Sequence, residues 1–296
     1  MKSITKFGLG TSQLFNGKLK NNLDDLSREL FFRNALTKSN IIHTNANLGT
    51  QKKVADIIAS SSFGSVQHVT KLECDLDSLF NHDRKKFISR IIETKRNCPH
   101  CMPFLVSIEI DYKGHNSFIF RKEKISEWLK IAAEIAAEEF QYHPKISLFC
   151  KSKLEFEVAI ETEWVSFIGG NTNVIQSGLL SETMQTRQLG KPIIGYSPLA
   201  RGRIFRQKFL EKSVQRVKSI HSSLGFNEND DFNKCLRDLS LYVVLSNPNL
   251  LTLFAGIYNN EYLSAIESIV ELPILDGKTC EEILTDLSIS KDNIWY

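Results

Sequence analysis

A chain of 296 residues with 42% hydrophobic content can bury one large core, and a single barrel-sized domain fits that length. Thirty-seven basic against 34 acidic residues leave a formal net charge of +3, too balanced to point to nucleic acid or an anionic membrane surface as a partner. The opening MKSITKFGLG has no apolar core to serve as a secretory leader and no apolar run reaches membrane-spanning length, so a soluble, cytoplasmic protein is the expectation.

In chain order, short apolar runs alternate with amphipathic ones. The expected strands are Thr5–Thr11, Ile41–Thr44, Val66–Leu72, Phe104–Ile110, Ile146–Cys150, Val165–Ile168, Ile193–Tyr196 and Leu251–Ala255. Helical patterns lie between them over Asp24–Leu36, Asp83–Thr94, Lys122–Phe140 and Asn260–Ile269. In the longest, Ile125, Trp128, Leu129, Ala132 and Ile135 recur at the spacing of one helix face. The stretch Phe205–Leu245 holds two helices, the second carrying Leu236, Leu239, Val243 and Val244. Strands alternating with helices make a parallel sheet, and eight repeats point to an α/β fold closed as a single-domain (β/α)8 TIM barrel over residues 1–296. An open, doubly wound sheet is the structural alternative. Function in such a barrel belongs at the C-terminal ends of the strands.

Six cysteines in a chain this long do not read as a disulfide framework. Cys74, Cys150 and Cys235 sit in apolar surroundings, as small core residues do. Cys98-Pro99-His100-Cys101 is similar to the redox motif of thioredoxin-fold oxidases, but there the motif follows a strand and opens a helix. Here a helix precedes it and a strand follows, and no further metal ligand lies nearby in sequence, so a plain helix-to-strand loop is the favoured reading and no metal site is expected. His100, His115 and His143 are scattered in expected loops without metal-ligand spacing, and Lys18-Leu19-Lys20 and Arg84-Lys85-Lys86 read as solvated surface.

The most informative stretch is Gly195-Tyr196-Ser197-Pro198-Leu199-Ala200-Arg201-Gly202-Arg203-Ile204, a turn-rich segment directly after a short strand. Backbone N–H groups, a serine and an arginine at such a position suit a phosphate. The string resembles the loop after the seventh strand of aldo-keto reductases, which wraps the pyrophosphate of a nicotinamide cofactor. Further similarities follow in order: Phe7-Gly8-Leu9-Gly10-Thr11 at the opening, the run Ile41 to Gly49 at the second strand, and Val69-Thr70-Lys71-Leu72 at the third. Asn173, Leu245-Ser246-Asn247-Pro248 and Phe254-Ala255-Gly256-Ile257-Tyr258-Asn259 complete the resemblance. It implies an NADP- or NAD-type site formed by Gly10, Thr11, Asn173, Tyr196, Ser197, Leu199, Arg201, Gly256 and Asn259.

The resemblance also implies a catalytic tetrad of Asp, Tyr, Lys and His, of which Lys71 alone is retained. His43 stands at the aspartate position and Leu48 at the tyrosine position; Glu109, then Asp111, falls nearest the histidine. A leucine has no proton to donate, so general acid catalysis from position 48 is impossible. An imidazole at position 43 removes the carboxylate that would hold the charge of Lys71 and pushes the lysine pKa down. Drift after loss of the original activity, with Lys71 and Glu109 kept as a salt bridge, is favoured over a new catalytic constellation of Lys71, His43 and Glu109. The nicotinamide-binding positions align with Phe149-Cys150 and Gly169, and those of a 2′-phosphate clamp with Gly256, Tyr258 and Tyr262, so the cofactor site is weakened.

The expectation is therefore an aldo-keto-reductase-like protein without standard carbonyl reductase activity. It would bind a nucleotide or phosphate-bearing small molecule, or act with a partner protein. The alternatives are an NAD(P)-dependent oxidoreductase acting on a carbonyl or sugar, with its proton drawn from His43, Glu109 or Tyr112, and a non-redox lyase or isomerase built on Lys71, His43 and Glu109.

Overall fold

A computed structural model describes residues 6–15, 24–61, 65–75, 84–111, 122–185, 189–209, 211–257 and 259–287. Eight parallel strands close into a barrel in sequence order: β1 (Phe7–Gly10), β2 (Ile41–Asn45), β3 (Gln67–Asp75), β4 (Leu105–Asp111), β5 (Lys145–Cys150), β6 (Phe167–Asn171), β7 (Ile193–Tyr196) and β8 (Leu250–Ala255). The closed barrel, not the open sheet, is the architecture. Strand alternation divides the side chains into two sets. Ile41, Val69, Leu105, Phe149, Phe167, Ile194, Tyr196 and Phe254 fill the interior, while their neighbours Ile42, Leu72, Ile108, Leu148, Ile168 and Leu253 face the helices.

The seam between β1 and β8 closes on a glycine. Gly8 pairs with Phe254, and a Cβ on Gly8 would fall 2.4 Å from that phenyl ring, so the ring occupies the room a side chain would need. Between β7 and β8 the register shifts at Ile193/Ile194, which sets Tyr196 opposite Phe254 as the last inward residue of its strand.

The outer ring comprises α1 (Ser12–Phe15), α2 (Asp25–Lys38), α3 (Gln51–Ala59), α4 (Lys85–Asn97), α5 (Lys122–Phe140), α6 (Lys153–Glu161), α7 (Gly178–Gln185), α8 (Glu211–Ser223), α9 (Phe232–Leu245), α10 (Asn260–Val270) and α11 (Gly277–Leu287). In α5 the buried set Ile125, Trp128, Leu129, Ala132, Ile135, Ala136 and Phe140 forms the stripe read from the sequence. Side-chain caps fix several starts: Asp24 accepts from the Ser27 N–H, Ser152 from Glu155 and Asp231 from Lys234. No helix among the described residues is long and apolar enough to cross a membrane.

Candidate functional site

Inward positions at the C-terminal ends of β2, β3 and β4 bring three of the expected residues together. Lys71 on β3 makes a buried ion pair with Glu109 on β4. The Lys71 ammonium also lies 4.7 Å from the centre of the Phe149 ring on β5, a cation–π contact that partly replaces lost hydration. Two further groups complete the electrostatics. Glu73, the next inward residue of β3, places a carboxylate oxygen 3.9 Å from Lys71 Nζ, and Lys151, just beyond β5, lies 3.7 Å from Glu109. Asn45 and Asn47 donate to the two oxygens of Glu73, at 3.3 and 2.6 Å.

The Lys71–Glu109 salt bridge is the one expected where the original chemistry has drifted away. The negative charge comes from β3 and β4 instead of β2, so the ammonium stays compensated although position 43 is an imidazole. Glu73, Asn45, Asn47 and Lys151 were not anticipated. The expected third strand ended at Leu72, whereas β3 runs to Asp75; the extra residues carry the inward alternation to Glu73.

Below this polar layer lies an aromatic one. The His43 ring sits 4.8 Å from the Tyr196 ring and 5.1 Å from Phe254, and Tyr196 contacts Phe149 at 5.3 Å. His43 as a residue is only partly covered, yet its Nε2 is sealed from solvent and has no hydrogen-bond partner. Burial, reinforced by the charge of Lys71 and then by His68, drives its pKa well below the ordinary histidine value, so the imidazole is neutral. Burial likewise raises the Tyr196 pKa, only partly offset by Ser107, and the buried phenol keeps its proton. The two nicotinamide-aligned positions are occupied or closed. Phe149 belongs to the aromatic layer, and a Cβ at Gly169 would lie 2.8 Å from Ser147 Oγ and 3.2 Å from Ser107 Oγ. A glutamine at 169 could not enter without displacing both serines.

The remaining expected cofactor residues serve the scaffold in several ways. Thr11 donates to the His43 carbonyl at 3.0 Å and ties the end of β1 to β2. A Cβ on Gly10 would lie 3.0 Å from the Ala255 carbonyl oxygen, so this glycine permits close strand approach. Asn173 is fully buried and accepts from the N–H groups of Ile175 and Gln176, shaping the turn after β6. Asn259 caps α10 by accepting from Tyr262 at 2.8 Å, and Tyr262 is itself buried. Gly256 lies half-buried just after β8, and Leu48 half-buried at the end of the single turn Ala46–Leu48 that follows β2. Tyr112, Tyr258, His115 and Lys18-Leu19-Lys20 lie outside the described residues.

The segment after β7 is conformationally unusual. Ser197, Ala200 and Arg201 all have positive φ, at 54°, 49° and 56°, followed by Gly202 at 78°. A non-glycine residue there costs on the order of 1–2 kcal/mol, and such strain gathers where a loop must present a particular surface. Hydrogen bonds from the Ala200 N–H to Ser197 and from the Gly202 N–H to Leu199 hold the turn. Arg201, Arg203 and Arg206 project from it exposed, while Ala200 and Ile204 anchor it in the core.

Comparison with known proteins agrees on architecture. An aldo-keto reductase of Bacillus halodurans in its holo form superimposes with a TM-score of 0.67 at 12% identity, covering 99% of this chain and 97% of that one. A glycerol dehydrogenase of Gluconobacter oxydans gives 0.66 at 14% identity, with 97% and 93% covered. An aldo-keto reductase of Klebsiella pneumoniae in complex with NADPH gives 0.65 at 12% identity, with 99% and 95% covered. No protein-family model and no curated protein matches the sequence. At these identities the likeness is one of fold, and the described residues form a (β/α)8 barrel like that of the aldo-keto reductases.

Proposed function

We propose that this chain is a divergent aldo-keto-reductase-type barrel that does not perform standard carbonyl reduction and acts by binding a phosphate-bearing small molecule at the segment 197–206, alone or with a partner protein. The observation that carries the reading is the pairing of a closed Lys71–Glu109 ion pair with Leu48 at the position where the resemblance places the acid. A carbonyl at this mouth would meet no group able to protonate it from position 48. The nicotinamide end of the cofactor does not fit the residues present: Phe149 offers no hydrogen bond, and Gly169 is hemmed in by Ser147 and Ser107. The phosphate end is favoured by the strained turn that follows Ser197, on which Arg201, Arg203 and Arg206 are exposed, Arg203 donating through Nε to the Ala200 carbonyl.

A second reading, an oxidoreductase with an altered proton donor, is favoured by one feature. The neutral His43 holds an unpartnered Nε2 against the Tyr196 ring, under the polar layer. The lyase or isomerase reading has the convergence of Lys71, Glu109 and His43 in its favour, but an ammonium held by a carboxylate is a poor nucleophile.

Equilibrium binding of NADPH, NADH and inorganic pyrophosphate, by calorimetry and cofactor fluorescence, separates these. The expected result is comparable binding of all three, weakened about ten-fold in Arg201→Gln/Arg203→Gln as charge-assisted hydrogen bonds are lost, and no carbonyl-dependent oxidation of NADPH. Failure of all three to bind overturns the binding reading. Carbonyl-dependent turnover by the natural chain overturns the loss of reductase activity, and a turnover abolished by Lys71→Ala without NADPH would favour the lyase.

A further inference from the structure

Away from the barrel mouth, the turn between α4 and β4 joins with β3 to build a second cluster of reactive groups. Cys98 ends α4, its N–H bonded to the Thr94 carbonyl, and the Cys101 N–H returns to the Cys98 carbonyl at 3.2 Å, so residues 98–101 form a tight turn. Pro99 at its second position presets that turn. Both cysteines are buried, Cys98 at 1% and Cys101 at 8% exposure, while Pro99 and His100 are exposed above them. The two sulfurs and a ring nitrogen of His68, which points outward from β3, all lie within 4.8 Å of one another.

The imidazole of His68 is fixed at both ends. Nδ1 lies 2.7 Å from the Cys101 carbonyl and 3.8 Å from its sulfur, and Nε2 lies 2.7 Å from the Thr44 hydroxyl. The tautomer that satisfies these contacts carries the proton on Nδ1, donating to Cys101, and accepts from Thr44 at Nε2. Gln51 steadies the assembly: its amide donates to Thr44, Thr70 and Thr94, and its backbone carbonyl accepts from the Cys98 thiol at 3.9 Å. With both His68 nitrogens engaged and three donors in reach among the described residues, the cluster is a poor zinc site, which wants four ligands and a free imidazole lone pair.

We propose that Cys98 and Cys101 are a reversible redox pair, in which Cys101 is the attacking thiolate and Cys98 the resolving thiol, with a small hydroperoxide as the oxidant. The asymmetry of the pair follows from position. The neighbouring Cys98 sulfhydryl, able to turn from the Gln51 carbonyl to the Cys101 sulfur, and His68 Nδ1, 3.8 Å from that sulfur, lower the Cys101 pKa against the opposing effect of burial. His100 adds to the lowering. Interaction with Cys101, deeper burial and, last, the negative charge of Asp56 on α3 raise the Cys98 pKa, so Cys98 holds its proton.

The chemistry balances in two steps. The Cys101 thiolate attacks one oxygen of the hydroperoxide, breaking the O–O bond; Cys101 becomes a sulfenic acid as the peroxide is reduced to hydroxide or alkoxide. The Cys98 sulfur then attacks the Cys101 sulfur, an S–S bond forms, and the expelled hydroxide takes the Cys98 proton to leave as water. The turn's Cys101 N–H to Cys98 carbonyl bond and sulfurs within 4.8 Å of each other bring the pair close to the geometry a disulfide needs. Burial under Pro99 and His100 selects small oxidants over protein disulfides. Nothing in this site draws on the barrel mouth, so it stands or falls independently of the ligand bound there.

The test uses the natural chain, treated with one equivalent of hydrogen peroxide and digested with trypsin; both cysteines fall in the fragment 97–113. We expect that fragment to lose two hydrogens, and dithiothreitol to restore them. In Cys98→Ser, dimedone should trap a sulfenic acid on Cys101, whereas Cys101→Ser should give none on Cys98. Should Cys98→Ser fail to fold, iodoacetamide labelling of the natural chain decides: the Cys101 rate should reach its plateau before pH 7 and stay flat above it, whereas an ordinary thiol's rate still climbs there. A Cys101 whose rate still climbs above pH 8 overturns the proposal. So does one equivalent of zinc that co-purifies with the chain and protects both thiols.

Discussion

The sealed imidazole of His43 makes stability depend on pH in a way that can be worked out in advance. The folded state keeps His43 neutral because burial first, and Lys71 second, oppose its charge. The unfolded chain takes up a proton there near the ordinary value of 6.5. Below that pH the unfolded state binds a proton that the folded state refuses, so the contribution is complete above about 6.5 and declines as pH falls. At pH 5.5 the loss from this one group is about 1.4 kcal/mol relative to pH 7.5. For a chain of this length that corresponds to about 2 °C in Tm. His43→Phe keeps a ring against Tyr196 and Phe254 but has nothing to titrate. Urea unfolding followed by tryptophan fluorescence at pH 7.5 and 5.5 should therefore show a smaller acid loss in His43→Phe, by about 1.4 kcal/mol. Other titrating groups act on both proteins and cancel in the difference. Lys71→Met should keep most of the slope, since burial is the larger cause. Parallel pH dependence in the natural chain and His43→Phe would refute the reasoning.

Two further outcomes follow from the same layers. Removing one partner of the Lys71–Glu109 pair, by Lys71→Met or Glu109→Gln, should cost about 2–4 kcal/mol, below the upper range for buried pairs because Glu73 and Lys151 remain as substitutes, while Lys71→Met/Glu109→Leu should recover much of the loss in a chemical-denaturation double-mutant cycle. Gly169→Ala should destabilise by about 1–3 kcal/mol through contact with Ser147 Oγ, and Gly169→Ala/Ser147→Ala should restore most of it; additive costs would contradict the packing argument.

The sequence made the barrel legible because each strand is a short apolar run bounded by turn residues, and strand boundaries fell within a few positions of those observed. Lys71 and Glu109 were singled out by the resemblance to aldo-keto reductases together with their places on the third and fourth expected strands. Their electrostatic surroundings could not be read in that way, because Glu73 depends on how far β3 extends and Lys151 on how the chain leaves β5. His68 escaped notice for a different reason. Its partners are thirty residues downstream in Cys98 and thirty-three in Cys101, and only the β3–β4 pairing brings them alongside. The one available signal was the alternation of β3, which turns His68 outward because Val69 and Lys71 both point inward. Tyr196 is a similar case. Its place in a turn-rich string after β7 gave no sign that its ring belongs to the interior cluster with Phe149 and Phe254, which depends on its pairing opposite Phe254.

The glycine at the β1–β8 seam has a consequence for how the molecule is made. β1 leaves the ribosome first and β8 among the last elements, and the fit of the Phe254 ring over Gly8 needs both. Until then β1 carries an unpaired edge, and the growing sheet has no way to close on itself. A chain stopped before Leu250 is thus an open sheet with two adhesive edges, not a smaller barrel, and early termination should yield aggregates instead of a shortened soluble protein.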